Sequence, residues 1–338
     1  LFRKAGSKLS LHHVTTLVSD AQKTVDFAAG FLGLRLVKQT AGAADPGQLH
    51  LFFGDGAGSP GTLYTCLVWE NAAPGRAGAG AFGEISFALA PQSLGYWIER
   101  SIRHGIGAEG PRREMGEAVL RLRDPDGLII KLVASEAVGE AIAWPGSDVP
   151  PVHALRGLRG ATLLAERTDE TVTFLERSFS LRRTAGDGTI MRLAASDGRC
   201  IDVRDSSGFW QSAAGAGTVD HVAMRVAEME DLQAQWRRLL DHAPEVSQIR
   251  DRRYFVSLYL REPGGGLMEV ATDAPGMAID ESMEELGRRL IIPEQHGGAA
   301  GELAVVLPAV AQPGEPRLTP REFPFLHALR APPGAAGK

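Results

Sequence analysis

Apolar and polar positions along this chain fall into one arrangement four times over. In the first stretch, H-H-V-T-T-L-V alternates with the period of two expected of a strand. Asp20 then stands where it can cap a helix with apolar positions Val25, Phe27, Phe31 and Leu32. Three strand-like runs follow: L-R-L-V-K-Q-T, Q-L-H-L-F-F-G and T-L-Y-T-C-L-V. The second stretch, 82–133, predicts a strand at G-E-I-S-F-A-L, a helix from Ser93 to His104 and a hairpin at D-P-D-G. The third, 155–203, predicts a strand at G-A-T-L-L-A, a helix near 170–179 and strands within M-R-L-A-A-S-D-G-R-C-I-D-V. The fourth, 218–272, predicts D-H-V-A-M-R-V as a strand, 229–240 as a helix, then Y-F-V-S-L-Y-L and G-L-M-E-V-A-T as strands.

The common order is strand, helix, then two or three strands. One such unit of about 50 residues cannot bury its sheet alone, so the units must pair. The fold class expected is α+β: four βαβββ modules paired into two domains with cupped mixed sheets. A Pro-rich stretch at 143–153 predicts a linker. That makes 9–142 an N-terminal module pair and 154–273 a C-terminal one. A helical extension is expected over 274–310, with helices at Asp280–Arg289 and near Glu302–Val306. A Pro/Gly-rich tail follows at 311–338.

Composition narrows the function classes. The chain has 338 residues, 44% of them apolar and 23% charged, which are globular values. A net charge of −5 argues against a nucleic-acid partner. No apolar run is long enough for a membrane helix. The first residues lack the hydrophobic stretch of a signal peptide. Two cysteines fit a reducing cytoplasm better than a disulfide scaffold.

The chemistry lies in the paired repeats. His13 heads the first strand of module one, and His221 that of module four. Glu269 stands among apolar neighbours in G-L-M-E-V-A-T, on a face shared with Leu267 and Ala271. A carboxylate turned inward needs a partner. Two imidazoles and one carboxylate, without a thiolate cluster, suit Fe, Mn or Zn with open positions. His12 alternates away from His13, yet is a candidate acid or base beside the site. Thr15 shares the His13 face and is a candidate substrate contact. Tyr259 and Arg252 precede the ligand strand and can steady anionic charge. His50 reads as a packed core residue. Aligning P-G-T-L-Y-T-C with P-G-G-G-L-M-E places Cys66 opposite Glu269, at the edge of the substrate pocket.

These motifs resemble the vicinal oxygen chelate superfamily, which includes glyoxalase I and extradiol dioxygenases. More narrowly, L-H-H-V-T, F-L-G-L-R-L-V-K-Q-T, D-R-R-Y-F-V-S-L-Y and E-V-A-T-D-A-P-G are similar to the hydroquinone ring-cleaving dioxygenases. The resemblance covers about residues 9–310. It implies metal ligands at His13, His221 and Glu269, and supporting residues at His12, Thr15, Arg252 and Tyr259. Members acting on chlorinated rings carry a His before the fourth-module ligand, where this chain has Asp220. The implied activity is Fe(II)-dependent opening of a small hydroquinone-like aromatic by O2, with Mn(II) fitting the same ligands. Two other readings stay open: a glyoxalase-like lyase or isomerase, which needs a further carboxylate, and a non-catalytic quinone- or drug-binding protein. Repeat pairs of this kind often associate, so a homo-oligomer is an open expectation.

Overall fold

The computed structural model describes residues 9–243 and 245–316. Module one holds β1 (Ser10–Val18), α1 (Ala21–Val25), β2 (Arg35–Ala41), β3 (Leu49–Gly54) and β4 (Leu63–Val68). The Asp20 side chain caps α1 by accepting from the Lys23 N–H at 2.9 Å. The helix then widens into a π-turn over Asp26–Phe31 that buries Phe27 and Phe31. Module two holds β5 (Ala81–Leu89), α2 (Leu94–Arg103), β6 (Ala108–Glu114), β7 (Glu117–Arg123) and β8 (Ile129–Ala134). Module three holds β9 (Leu158–Ala165), α3 (Thr168–Phe179), β10 (Arg182–Asp187), β11 (Ile190–Ala194) and β12 (Cys200–Asp205). Module four holds β13 (Thr218–Val226), α4 (Met229–Leu240), the short β14 (Arg250–Asp251), β15 (Phe255–Arg261) and β16 (Leu267–Pro275).

The modules join differently from the expected pairing of one with two and three with four. One nine-stranded sheet runs β14-β15-β16-β13-β1-β4-β3-β2, edged by a short β17 (Leu290–Ile291). It joins module one to module four. The eight-stranded sheet, β10-β11-β12-β9-β5-β8-β7-β6, joins module two to module three. The seam of the first sheet is the antiparallel pair β1–β13, with Thr15 opposite His221. The seam of the second is β5–β9. Each module's first strand has a free edge, and the long strands β1 and β13 satisfy one another's backbone groups. The Pro-rich 143–153 stretch therefore connects modules two and three, which share the eight-stranded sheet, and does not separate two module pairs.

Strand alternation sorts side chains between two faces of the nine-stranded sheet. Leu49, Leu51, Phe53, Tyr64, Cys66, Val222, Met268 and Val270 join the main core with the helices. Phe52, Leu63, Tyr254, Phe255 and Ala271 form a smaller cluster on the other face, with Val37, Met277 and Leu286.

The C-terminal extension departs from expectation. Asp280–Arg289 is turns, not helix, while a short α5 does form at Ala300–Val306. Tertiary contacts outcompete the helix. The Glu281 carboxylate accepts from the Gly287 and Arg289 N–H groups at 3.3 and 3.2 Å. Gly287 has φ 76° and lies so close to the Leu36 carbonyl that a Cβ would clash at 1.9 Å. Lys38, 0% exposed, reaches from β2 to both Asp280 and Glu281. All but the first few residues of the expected 311–338 tail lie outside the described residues.

That buried lysine anchors the extension. Lys38→Met leaves the buried Glu281 without its cation and Asp280 with Arg253 alone, so a loss of about 3–5 kcal/mol is expected in urea unfolding. An unchanged midpoint would contradict the anchor.

Candidate metal centre

Three strands carry the centre, and register brings them together. β1 lies beside β13, and β13 pairs in parallel with β16, placing Ala223 opposite Glu269. Strand alternation turns His13, His221 and Glu269 to the same face of the sheet. His13 Nε2 and His221 Nε2 are 3.2 Å apart. Glu269 Oε2 is 2.9 Å from the first and 3.0 Å from the second. Neither approach has the direction of a hydrogen bond, and both carboxylate oxygens are buried without a hydrogen-bonding partner.

These residues fit a divalent ion. With metal–ligand bonds of about 2.1 Å, donors at right angles lie about 3.0 Å apart, close to the three edges found here. Each ring's other nitrogen is held. Asp220 Oδ2 is 2.6 Å from His221 Nδ1, which directs the Nε2 lone pair inward. His12 Nδ1 is 2.9 Å from His13 Nδ1.

Charge within the cluster is tightly coupled. Burial alone would raise the Glu269 carboxyl, but His13 and His221 outweigh it and hold it well below the usual range. Burial lowers His221, yet Glu269 and Asp220 overcome it and raise that imidazole to about 9. Burial dominates for His12, which falls to about 3 and stays neutral. Burial, then the Glu269 charge, pushes the Tyr259 phenol up, so it remains a proton donor.

The centre forms part of the wall of a cavity of about 820 Å³. His13, Thr15, Asp220, His221, Arg252 and Tyr259 line it. The Tyr259 and His221 rings meet edge to face, 5.3 Å between centroids. The Arg252 guanidinium lies over the Tyr259 ring at 5.0 Å, and its Nε is buried without a partner.

Three sequence readings change. His12 is not turned to the opposite face, because a register shift between Leu11 and His13 bulges β1 there. It packs against His13 and Phe255 rather than lining the cavity. Cys66 does not reach the cavity either. It is fully buried on the core face, and its thiol is pushed up to about 12 by burial. The residue of β4 matching Glu269 is Thr65, since Thr15 pairs with Thr65 as Ala223 pairs with Glu269. The motif alignment was one residue out of register. Finally, His50 lines the cavity instead of the core. The strand's own alternation carries that signal, because Leu49, Leu51 and Phe53 are its core side.

Comparison with known proteins now places the chain. Residues 10–132 match the Glyoxalase/Bleomycin resistance protein/Dioxygenase superfamily model. Over 295 residues the chain is 39% identical to "Putative ring-cleaving dioxygenase MhqO" of Bacillus subtilis (strain 168), covering 86% of this chain and 93% of that protein. This chain belongs to the glyoxalase/dioxygenase superfamily. Within it, the chain is also 33% identical to "Chlorohydroquinone/hydroquinone 1,2-dioxygenase" of Sphingobium indicum, covering 87% of this chain and 94% of that one. A solved "putative dioxygenase" from Bacillus subtilis subsp. subtilis str. 168 superposes with TM-score 0.87 at 36% identity, covering 91% of this chain and 99% of that one. Glyoxalase I from Zea mays shares the fold at TM-score 0.57 and 14% identity, over 79% of this chain and 93% of that one. Among the described residues, no helix is long and apolar enough to cross a membrane.

Two outcomes follow for the centre. A bound ion must displace the proton held on His221 below about pH 9, so metal affinity should rise with pH up to that point and then level. Calorimetric titration with Mn(II) at several pH values checks this; an affinity flat between pH 6 and 8 would contradict it. In the same titration Cys66→Ala should bind one ion per chain like the parent, whereas Glu269→Ala should lose at least a hundredfold in affinity.

Proposed function

We propose that this chain is a ring-cleaving dioxygenase that opens hydroquinone-like aromatics with O2, using Fe(II) held by His13, His221 and Glu269. The observation that carries the reading is the convergence of those donors on one wall of a cavity large enough for a small aromatic. The relatives named for ring cleavage support the same class. Mn(II) suits the same ligands. The ion supplies Lewis acidity and a path for electrons between an aromatic diol and O2.

The chain's own residues do the rest. Phe52, Phe255 and Leu267 give the cavity its apolar wall, against which an aromatic ring can lie while water is excluded. Tyr259, kept protonated, donates a hydrogen bond to the phenolic oxygen nearest the ligands. Arg252, whose guanidinium lies over the Tyr259 ring, stabilises negative charge as it develops there. Thr15, on the cavity wall and 2.7 Å from Thr65 Oγ1, offers a hydroxyl that can hydrogen-bond the substrate. Asp220 fixes the tautomer of His221, and His12 fixes the ring of His13. The two free buried cysteines support a reducing, cytoplasmic setting.

The lyase reading asks for a fourth carboxylate ligand. The matching position holds Thr65, a neutral hydroxyl engaged with Thr15 at 2.7 Å. Asp220 is taken up by His221. Both facts favour the dioxygenase.

Anaerobic loading with Fe(II), followed by oxygen-electrode recording with hydroquinone and methylhydroquinone, tests the function. Oxygen uptake is expected, falling at least a thousandfold in His221→Ala. Uptake that survives in that variant, or its absence from the fully loaded parent, would overturn the reading.

A further inference from the structure

His50 has no part in the centre as described so far. It sits on β3 with its ring tilted against Phe52, 4.1 Å between centroids. Its Nε2 is 3.2 Å from Thr65 Oγ1. Thr65 Oγ1 is 2.7 Å from Thr15 Oγ1, which in turn is 3.0 Å from His221 Nε2. A polar arm thus runs from Thr15 on the cavity wall through Thr65 and ends on an imidazole. It passes through Thr65, where module four has Glu269.

The arm uses only one nitrogen of His50. Nδ1 takes no hydrogen bond from the described residues, and it is not among their fully enclosed polar atoms. Burial, followed by His13 and His221, pushes this imidazole down to about 3, so it is neutral. A neutral ring has one donor and one acceptor nitrogen. With Nε2 engaged by Thr65, Nδ1 can bond a hydroxyl in either tautomer. Asp220 is taken up by His221, and Arg252, over the Tyr259 ring, serves the ligand end of the cavity.

We propose that His50 is a specificity-determining residue that binds the ring hydroxyl farthest from the metal ligands, and so selects 1,4-diols over 1,2-diols. The inference rests on the aromatic reading of the site given above. In a 1,4-diol one oxygen meets the ligand end, with Tyr259 and Arg252. The other lies across the ring and must leave water among Phe52, Phe255 and Leu267. Without a partner there it would cost binding. A 1,2-diol directs both oxygens to the ligand end and leaves His50 unanswered. A site built to bond a hydroxyl discriminates against analogues that lack it.

The test is anaerobic calorimetry on Fe(II)-loaded protein with hydroquinone and with 4-methylphenol, which replaces the far hydroxyl by a methyl group. The parent should bind hydroquinone about tenfold tighter, the usual worth of a buried neutral hydrogen bond. In His50→Phe the two ligands should bind alike. His50→Gln, which keeps a donor and an acceptor, should retain most of the gap, and it serves alone if the Phe variant does not fold. Equal binding of the two ligands by the parent, or a gap undiminished in His50→Phe, overturns the role of His50 while the aromatic reading stands. Failure of both ligands to bind the loaded parent overturns both.

Discussion

A carboxylate with no exposed surface, deep in a sheet, sets the terms for this molecule. Glu269 is 0% exposed, and neither oxygen has a directed hydrogen bond. Such a group is costly in a protein interior unless a cation answers it. Here the nearest atoms are two imidazole nitrogens, each oriented by a partner on its far side. That arrangement is poor as an ion pair and good as an ion's ligand set. The topology serves it: β1 (Ser10–Val18) and β13 (Thr218–Val226) are far apart along the chain, and only the pairing of module one with module four puts His13 beside His221.

The four modules show how the site became local. The third residue of each module's last strand is Thr65, Lys131, Asp202 or Glu269. In the eight-stranded sheet, Lys131 pairs with Glu84 at 2.9 Å and Asp202 with Arg192 at 2.7 Å. Those buried charges satisfy one another, and no ligand is required. In the nine-stranded sheet one of the two positions carries the carboxylate of the triad and the other a hydroxyl. One cup is therefore closed by ion pairs, and the other opens as a cavity.

Much of this could be read in the sequence. Alternation and helical spacing are local properties, so the modules, their helices and the three ligand candidates were all legible. What was not legible depended on contacts between distant segments. Module pairing follows from strand edges that meet across the fold, not from the order of modules along the chain. The bulge at His12 comes from its register with β13. Cys66 was misplaced because a one-residue offset in a strand exchanges faces. The segment around Asp280 has helix-forming residues, but Lys38 and the Leu36 carbonyl hold it in turns. His50 is different: its alternation was in plain view, and an apolar neighbourhood concealed it.

The account stands on one claim, that the buried triad and its cavity support oxygenative opening of an aromatic ring. Turnover of hydroquinone by the Fe(II)-loaded protein under isotopically heavy dioxygen, with mass analysis of the product, tests it most directly. A ring-opened product carrying both heavy oxygen atoms is predicted. A product with its ring intact, or one carrying no heavy oxygen, would contradict the account.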